Sequence, residues 1–239
     1  KSPKKYILFK DTNTRELNPY YVPNDLMNNF WNNKHYYNKH SIFCYAEFLN
    51  RFNETKPEFF NWYDHKIISP VRSQGQCGSC FAFSTRDAVE TYYRKSNNIT
   101  LGPESVDFTE QDLVDCFEEY SVEKGGCNGG MITDALLWYQ TYGISKASEN
   151  PYKAKYHKEK QCVQNKVFYK IPAFCANIPL GSDEINELKT LLMEYGPVIV
   201  SYRAECLKYA GQGVWRVKLS GPINHGSLLV GWGNTVRGE

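Results

Sequence analysis

Residues 74–84 read Gln74-Gly-Gln-Cys77-Gly-Ser-Cys80-Phe-Ala-Phe-Ser84, and far downstream stands a lone His225 in Asn224-His-Gly-Ser227. A cysteine is a useful nucleophile only as its thiolate. The start of a helix favours that form, because free backbone N–H groups and the helix dipole stabilise negative charge there; a facing imidazolium adds to the effect. The pattern from Ser79 or Cys80 to about Lys95 predicts such a helix, with Ala82, Val89 and Tyr93 near one face. Gln74 lies six residues before Cys80. Gly75 and Gly78 allow a tight loop that would carry its side-chain amide back over the thiol, where it and the Cys80 N–H could hold an oxyanion.

Cys77-Gly-Ser-Cys80 taken alone has other readings: a disulfide, a redox pair or half a zinc site. A zinc site wants further Cys or His pairs at short spacing, and the chain has none. A thioredoxin-like site wants a preceding core strand, and Ser69-Pro-Val-Arg-Ser73 does not look like one. Five histidines are present. His35 and His40 lie in an Asn- and Tyr-rich stretch, His65 in a polar turn and His157 among lysines, whereas His225 opens an apolar strand.

Composition narrows the class. With 239 residues, 41% hydrophobic and 23% charged, the chain can bury a proper core in one or two domains. A net charge of +2 gives no electrostatic case for nucleic acid or an anionic membrane as partner. Apolar runs such as Pro197–Val200 and Ser227–Trp232 are far too short to span a bilayer. The start at Lys1 suggests trimming from a longer precursor. Widely spaced cysteines at 44, 77, 80, 116, 127, 162, 175 and 206 suit a disulfide framework. Sequons at Asn53 and Asn98 point to the same secreted or lysosomal/vacuolar setting.

Residues 1–55 have no sustained period and read as an irregular N-terminal arm or propeptide remnant. From residue 56 the signals sharpen. Thr109-Glu-Gln-Asp112 looks like a capping box before a short helix carrying Cys116. A third helix is expected from Thr133 to Tyr142, stopped by Gly143. A fourth should start near Ser182, bury Ile185, Leu188, Leu192 and Tyr195, and end at Gly196-Pro197. Val198–Arg203 and Ser227–Trp232 look like strands. Helices first and strands later predict an α+β protein with two unlike lobes.

Phe59-Phe-Asn-Trp-Tyr-Asp64, Pro70 to Ser84, Asp112-Leu-Val-Asp-Cys116, Gly125-Gly-Cys-Asn-Gly-Gly130, Tyr195-Gly-Pro-Val198 and Asn224-His-Gly-Ser-Leu-Leu-Val-Gly-Trp-Gly233 follow one another in order. Together they resemble the papain family of cysteine peptidases, over roughly residues 56–233. The resemblance implies a two-lobed fold, a helical lobe facing a strand-rich, barrel-like lobe, in a peptidase domain of residues 56–239. It makes Cys80 the nucleophile, His225 the general base and acid, and Gln74 an oxyanion donor. It implies disulfides Cys77–Cys127 and Cys116–Cys162, and a substrate cleft involving Gly129, Gly130, Met131, Ile132, Ser201, Ile223 and Gly226. With no charge among the last five, the main pocket should take Leu, Val or an aromatic side chain two residues before the scissile bond. No metal or organic cofactor is required, and the expected partners are a peptide or protein substrate and a propeptide or cystatin-type inhibitor.

Two departures stand beside this resemblance. The orienting Asn of an Asn-Ser-Trp-Gly motif does not occur before Glu239, and Asn234 is too near His225 to serve. The expectation is therefore either a longer molecule or an inactive relative that binds peptide or serves as a scaffold. Phe81 stands where the family usually has Trp, keeping bulk without the indole N–H. Phe174-Cys-Ala-Asn-Ile-Pro179 resembles mite cysteine-protease allergens, which implies Cys44–Cys175 and leaves Cys206 free or bonded to another chain; Cys175–Cys206 competes with it.

Overall fold

The computed structural model describes residues 55–103, 105–116, 126–156, 167–172, 174, 184–204 and 221–233. The N-terminal arm up to residue 54, with Cys44 and Asn53, lies outside them, as do Cys162, Cys175 and Cys206.

Helix α1 (Cys80–Ser96) is the axis of the helical half. Arg94 and Lys95 in its last turn suit the negative end of the helix dipole. Phe81, Ala82 and Val89 face inward, and the core continues through Phe108, Leu113, Leu136, Tyr139 and Ile144. Tyr93 packs at its margin, half-buried. Helices α2 (Gln111–Cys116) and α3 (Ile132–Thr141) close this half. Tyr142 caps α3, and Gly143 follows at φ +90°, the backbone region where a side chain is strained.

The expected capping box forms only in part. The Thr109 hydroxyl accepts from Gln111 N–H at 2.9 Å. Asp112 does not reach back: its carboxylate accepts from Ser145 N–H and from the Asn150 amide, each at 2.9 Å. The Thr109 N–H donates instead to the Ser145 carbonyl at 3.1 Å. A loop-to-loop tie has taken the place of the local reciprocal bond.

Charge is buried in this half as well. Arg86 is fully buried and reaches the carboxylates of Asp87, Glu90 and Glu110. Glu90 also meets Arg94 at 2.9 Å and accepts from Ser69. Burial opposes the Arg86 charge, but Asp87, Glu90 and Glu110 outweigh it and hold the guanidinium above its usual range.

The second half is built on strands. Strand β1 (Phe60–Asn61) leads into a 3-10 turn (Trp62–His65), and helix α4 (Glu184–Tyr195) precedes β2 (Val198–Tyr202). Strands β3 (His225–Leu229) and β4 (Gly231–Trp232) follow. β2 pairs antiparallel with β3, Val198 opposite Leu229 and Tyr202 opposite His225. β1 pairs with β4, Phe60 opposite Trp232. The expected continuous strand 227–232 is broken at Val230, whose carbonyl accepts from Trp62 N–H at 2.9 Å. A second core gathers Trp62, Ile67, Ile68 and Leu192, with Phe60, Val198, Leu229 and Trp232 packed on it.

α4 corrects one expectation. Leu191 and Leu192 are buried, but Ile185 is 69% exposed. The side buried against β2 and β4 is that of Glu187, Thr190, Leu191 and Leu192. Ile185 shares a helical face with Leu192 but lies two turns earlier, in the first turn of α4, where it is left in solvent. The start expected at Ser182 lies outside the described residues, and Leu188 and Tyr195 are half-buried.

Candidate active site

Cys80 is the first residue of α1, half-buried, and the free cysteine among the described residues. Its neighbour Cys77 is bonded to Cys127. That disulfide leaves no redox pair with Cys80 and no thiolate at Cys77 for a metal. Gly78 belongs to the same joint. Its N–H donates to the Cys127 carbonyl at 2.8 Å, and a Cβ on it would stand 2.6 Å from that oxygen. Only a glycine lets the two segments lie this close. Cys116 at the end of α2 is disulfide-bonded as well; Cys162, its expected partner, lies outside the described residues.

The first turn of α1 exposes N–H groups that an α-helix cannot satisfy internally. Phe81, next to Cys80, is buried at 1% in the core of the helical half. The Ser84 hydroxyl, one turn on, donates to the Cys80 carbonyl at 2.9 Å.

β3 reaches this turn from the other half. A Cβ on Gly226 would stand 3.0 Å from Ile132 Cδ1 and 3.2 Å from Ser84 Oγ. Gly226 thus touches both α1 and α3, and His225 directly precedes it. His225 is half-buried, with the Tyr202 ring against it at 5.6 Å and 84°. Burial pushes its imidazole below the usual range, so the neutral, proton-accepting form is favoured at rest.

Gln74 is half-buried on the loop before Cys77. Its side-chain Nε2 donates to the Cys77 carbonyl at 2.8 Å, which uses one of the two amide protons. Gly75 turns that loop at φ +62°.

Of the residues expected to line a substrate cleft, Ser201 pairs with Gly226 across β2–β3, and Ile132 touches Gly226. Met131 caps α3, and Gly129 takes φ +102° just before it. Ile223 is half-buried two residues before His225, and Gly130 is half-buried beside Met131. Asn98 is exposed at φ +55°, just past the end of α1.

Two residues escaped the sequence reading. Asp134, in the first turn of α3, has its carboxyl pushed up to about 6 by burial. Tyr152 places its hydroxyl between Gln74 and Ser79. A tyrosine in a chain holding 18 of them gives no sequence signal of that kind.

A helix-borne thiol, a histidine delivered by a strand of the opposite half and an amide held on the preceding loop are what the motifs implied. The chain belongs to the papain family of cysteine proteases, with residues 56–239 matching that family. Among its relatives, vignain of Phaseolus vulgaris is 35% identical, over 76% of this chain and 48% of its own length. A cathepsin L-like proteinase of Fasciola hepatica is 32% identical, over 76% of this chain and 53% of its own. A digestive procathepsin L2 proteinase from the larval midgut of Tenebrio molitor superposes with a TM-score of 0.66 at 28% identity, covering 77% of this chain and 56% of that one. The papain-like α+β fold is thereby shown. The chain spans about half the length of the curated relatives it matches.

Proposed function

We propose that the protein is a cysteine-type endopeptidase in which Cys80 attacks a peptide carbonyl and His225 moves the proton. The observation that supports this reading is the close approach of α1 and β3 through Ser84 and Gly226, one turn along α1 from Cys80 and next to His225 in β3. The neutral imidazole takes the thiol proton, and the thiolate adds to the carbonyl. The second Gln74 amide proton and the Cys80 N–H steady the oxyanion. The imidazolium then returns the proton to the leaving amine, leaving a thioester. Water, deprotonated by the same imidazole, hydrolyses it and restores the thiol.

Ile132, Ser201 and Gly226 meet, with Met131 and Ile223 flanking in sequence, and this uncharged set suits Leu, Val or an aromatic side chain two residues before the cut. Gly129 and Gly130 would give substrate backbone a close approach. The family's procathepsin structures support a propeptide as partner. Exposure of Asn98 supports glycosylation there and a secreted or lysosomal setting. No described helix is long and apolar enough to cross a membrane.

The test is mass spectrometry after treatment with an epoxysuccinyl thiol-protease inhibitor. A stoichiometric adduct on Cys80 that disappears in His225→Ala is expected. A folded, disulfide-bonded protein that takes no adduct would sink the protease reading and favour a peptide-binding scaffold.

A further inference from the structure

We propose that Tyr152 is a positioning residue for this chemistry, its hydroxyl tying the Gln74 loop to the residue that starts α1. The inference rests on the roles given above to Cys80, His225 and Gln74.

The Tyr152 hydroxyl lies 2.7 Å from the Gln74 carbonyl and 2.6 Å from Ser79 Oγ. A carbonyl can only accept, so the phenol proton goes to Gln74 and Ser79 must donate to the phenol oxygen. Both directions are thereby fixed. Ser79 is fully buried at the N-cap of α1, yet makes no side-chain cap to the helix; its hydroxyl serves Tyr152 instead. Burial raises the Tyr152 phenol above its usual range, with the Ser79 bond opposing, so the proton stays available.

Tyr152 is itself held from behind. Phe83 meets its ring edge-on at 4.8 Å. The next residue, Lys153, donates its N–H to Gln111 Oε1 at 2.8 Å, and Gln111 Nε2 donates to the Lys155 carbonyl at 2.7 Å. Gln111 is fully buried on α2. A rigid path therefore runs from α2 through Gln111 and Tyr152 to both proposed oxyanion donors: the Gln74 amide and, one residue past Ser79, the Cys80 N–H. The loop needs it, since Gly75 at φ +62° gives little stiffness of its own. Donors of this kind act by being fixed before charge develops.

The experiment compares the full chain with Tyr152→Phe, which keeps the ring and removes one oxygen. Four quantities are read: amide hydrogen exchange of the 74–80 segment, the rate of Cys80 alkylation by iodoacetamide, and kcat and KM on a peptide amide with Leu two residues before the cut. Alkylation needs the thiolate but no oxyanion. Expected are exchange at 74–80 faster by about tenfold with α3 unchanged, alkylation within about twofold of the parent, and kcat lower by about tenfold at constant KM. In a Gln74→Ala background the same substitution should cost clearly less in kcat than in the parent, because one of the two donors it positions is already gone. Unchanged exchange at 74–80 overturns the proposal whether or not the chain turns over substrate. So does an equal fall in alkylation and kcat, or an undiminished loss in the Gln74→Ala background, since each marks a merely structural role. A parent chain that neither alkylates nor cleaves defeats the reading of the site instead, and the exchange result alone then decides the tie.

Discussion

Ser84 on α1 and Gly226 on β3 stand face to face. A Cβ on the glycine would lie 3.2 Å from the serine hydroxyl, which is already committed to the Cys80 carbonyl. At this point α1 and β3 approach through a serine hydroxyl and a glycine, with the end of the Ile132 side chain beside them.

Gly226→Ala should separate that contact. Ile132 Cδ1, 3.0 Å from the new methyl, is the end of a flexible side chain and can turn aside, so the stability cost should be only about 1 kcal/mol. His225 is carried by the same strand. A displacement of a few tenths of an ångström to 1 Å should lower kcat/KM by about tenfold or more. Urea denaturation and steady-state kinetics measure the two effects; an unchanged kcat/KM would show that the junction does not position the histidine.

Arg86→Ala should be far more damaging. It would strip the close partner from Glu110, which Arg72 reaches only at 3.6 Å, and one of two from Glu90, which keeps Arg94 at 2.9 Å; both carboxylates are fully buried. Breaking a buried ion pair from one side costs about 3–5 kcal/mol, because an uncompensated charge is left behind. Adding Glu110→Gln should recover part of that loss. A single-variant cost below about 1 kcal/mol in chemical denaturation would show that the cluster is not held by Arg86.

In Cys80→Ala, the His225 imidazole should titrate below 6.5, because burial then acts with no thiolate opposing it. The sign for stability follows. With the folded value depressed, the unfolded chain binds more protons between that value and 6.5, so stability falls as pH drops through the window and is unaffected well above it. Proton NMR gives the titration, and thermal unfolding of Cys80→Ala beside Cys80→Ala/His225→Gln gives the linkage. A titration above 6.5 would contradict it.

Much of the fold could be read from residues alone, since strong local rules and packing agreed. α1 starts at Cys80, within a residue of the expected place, and α3 stops before Gly143. Illegible were the features decided at long range. Ile185 has the right period for a core face, but of α4 it is Leu192 that joins the second core, while Ile185 stays exposed. Asp112 has capping-box spacing, but Ser145 and Asn150 draw its carboxylate away. The break at Val230 depends on Trp62, a residue remote in sequence. Motifs singled out Gln74, Cys80 and His225 because their chemistry demands particular side chains. Tyr152 acts through one hydroxyl across a loop, and nothing in the neighbouring sequence marks it.

The pairing of Phe60 with Trp232 also sets an order of events during synthesis. The Trp232 indole donates to the Pro57 carbonyl at 3.0 Å across 175 positions, and Trp62 donates to Leu192 across 130. At about 5–20 residues per second, a ribosome takes on the order of ten seconds to supply the second partner. The sequence around α1 and α2 is by then long outside the tunnel, while Phe60 and Trp62 still await their covering strand. The nascent chain thus carries uncovered aromatic surface for seconds before the strand that covers it is made.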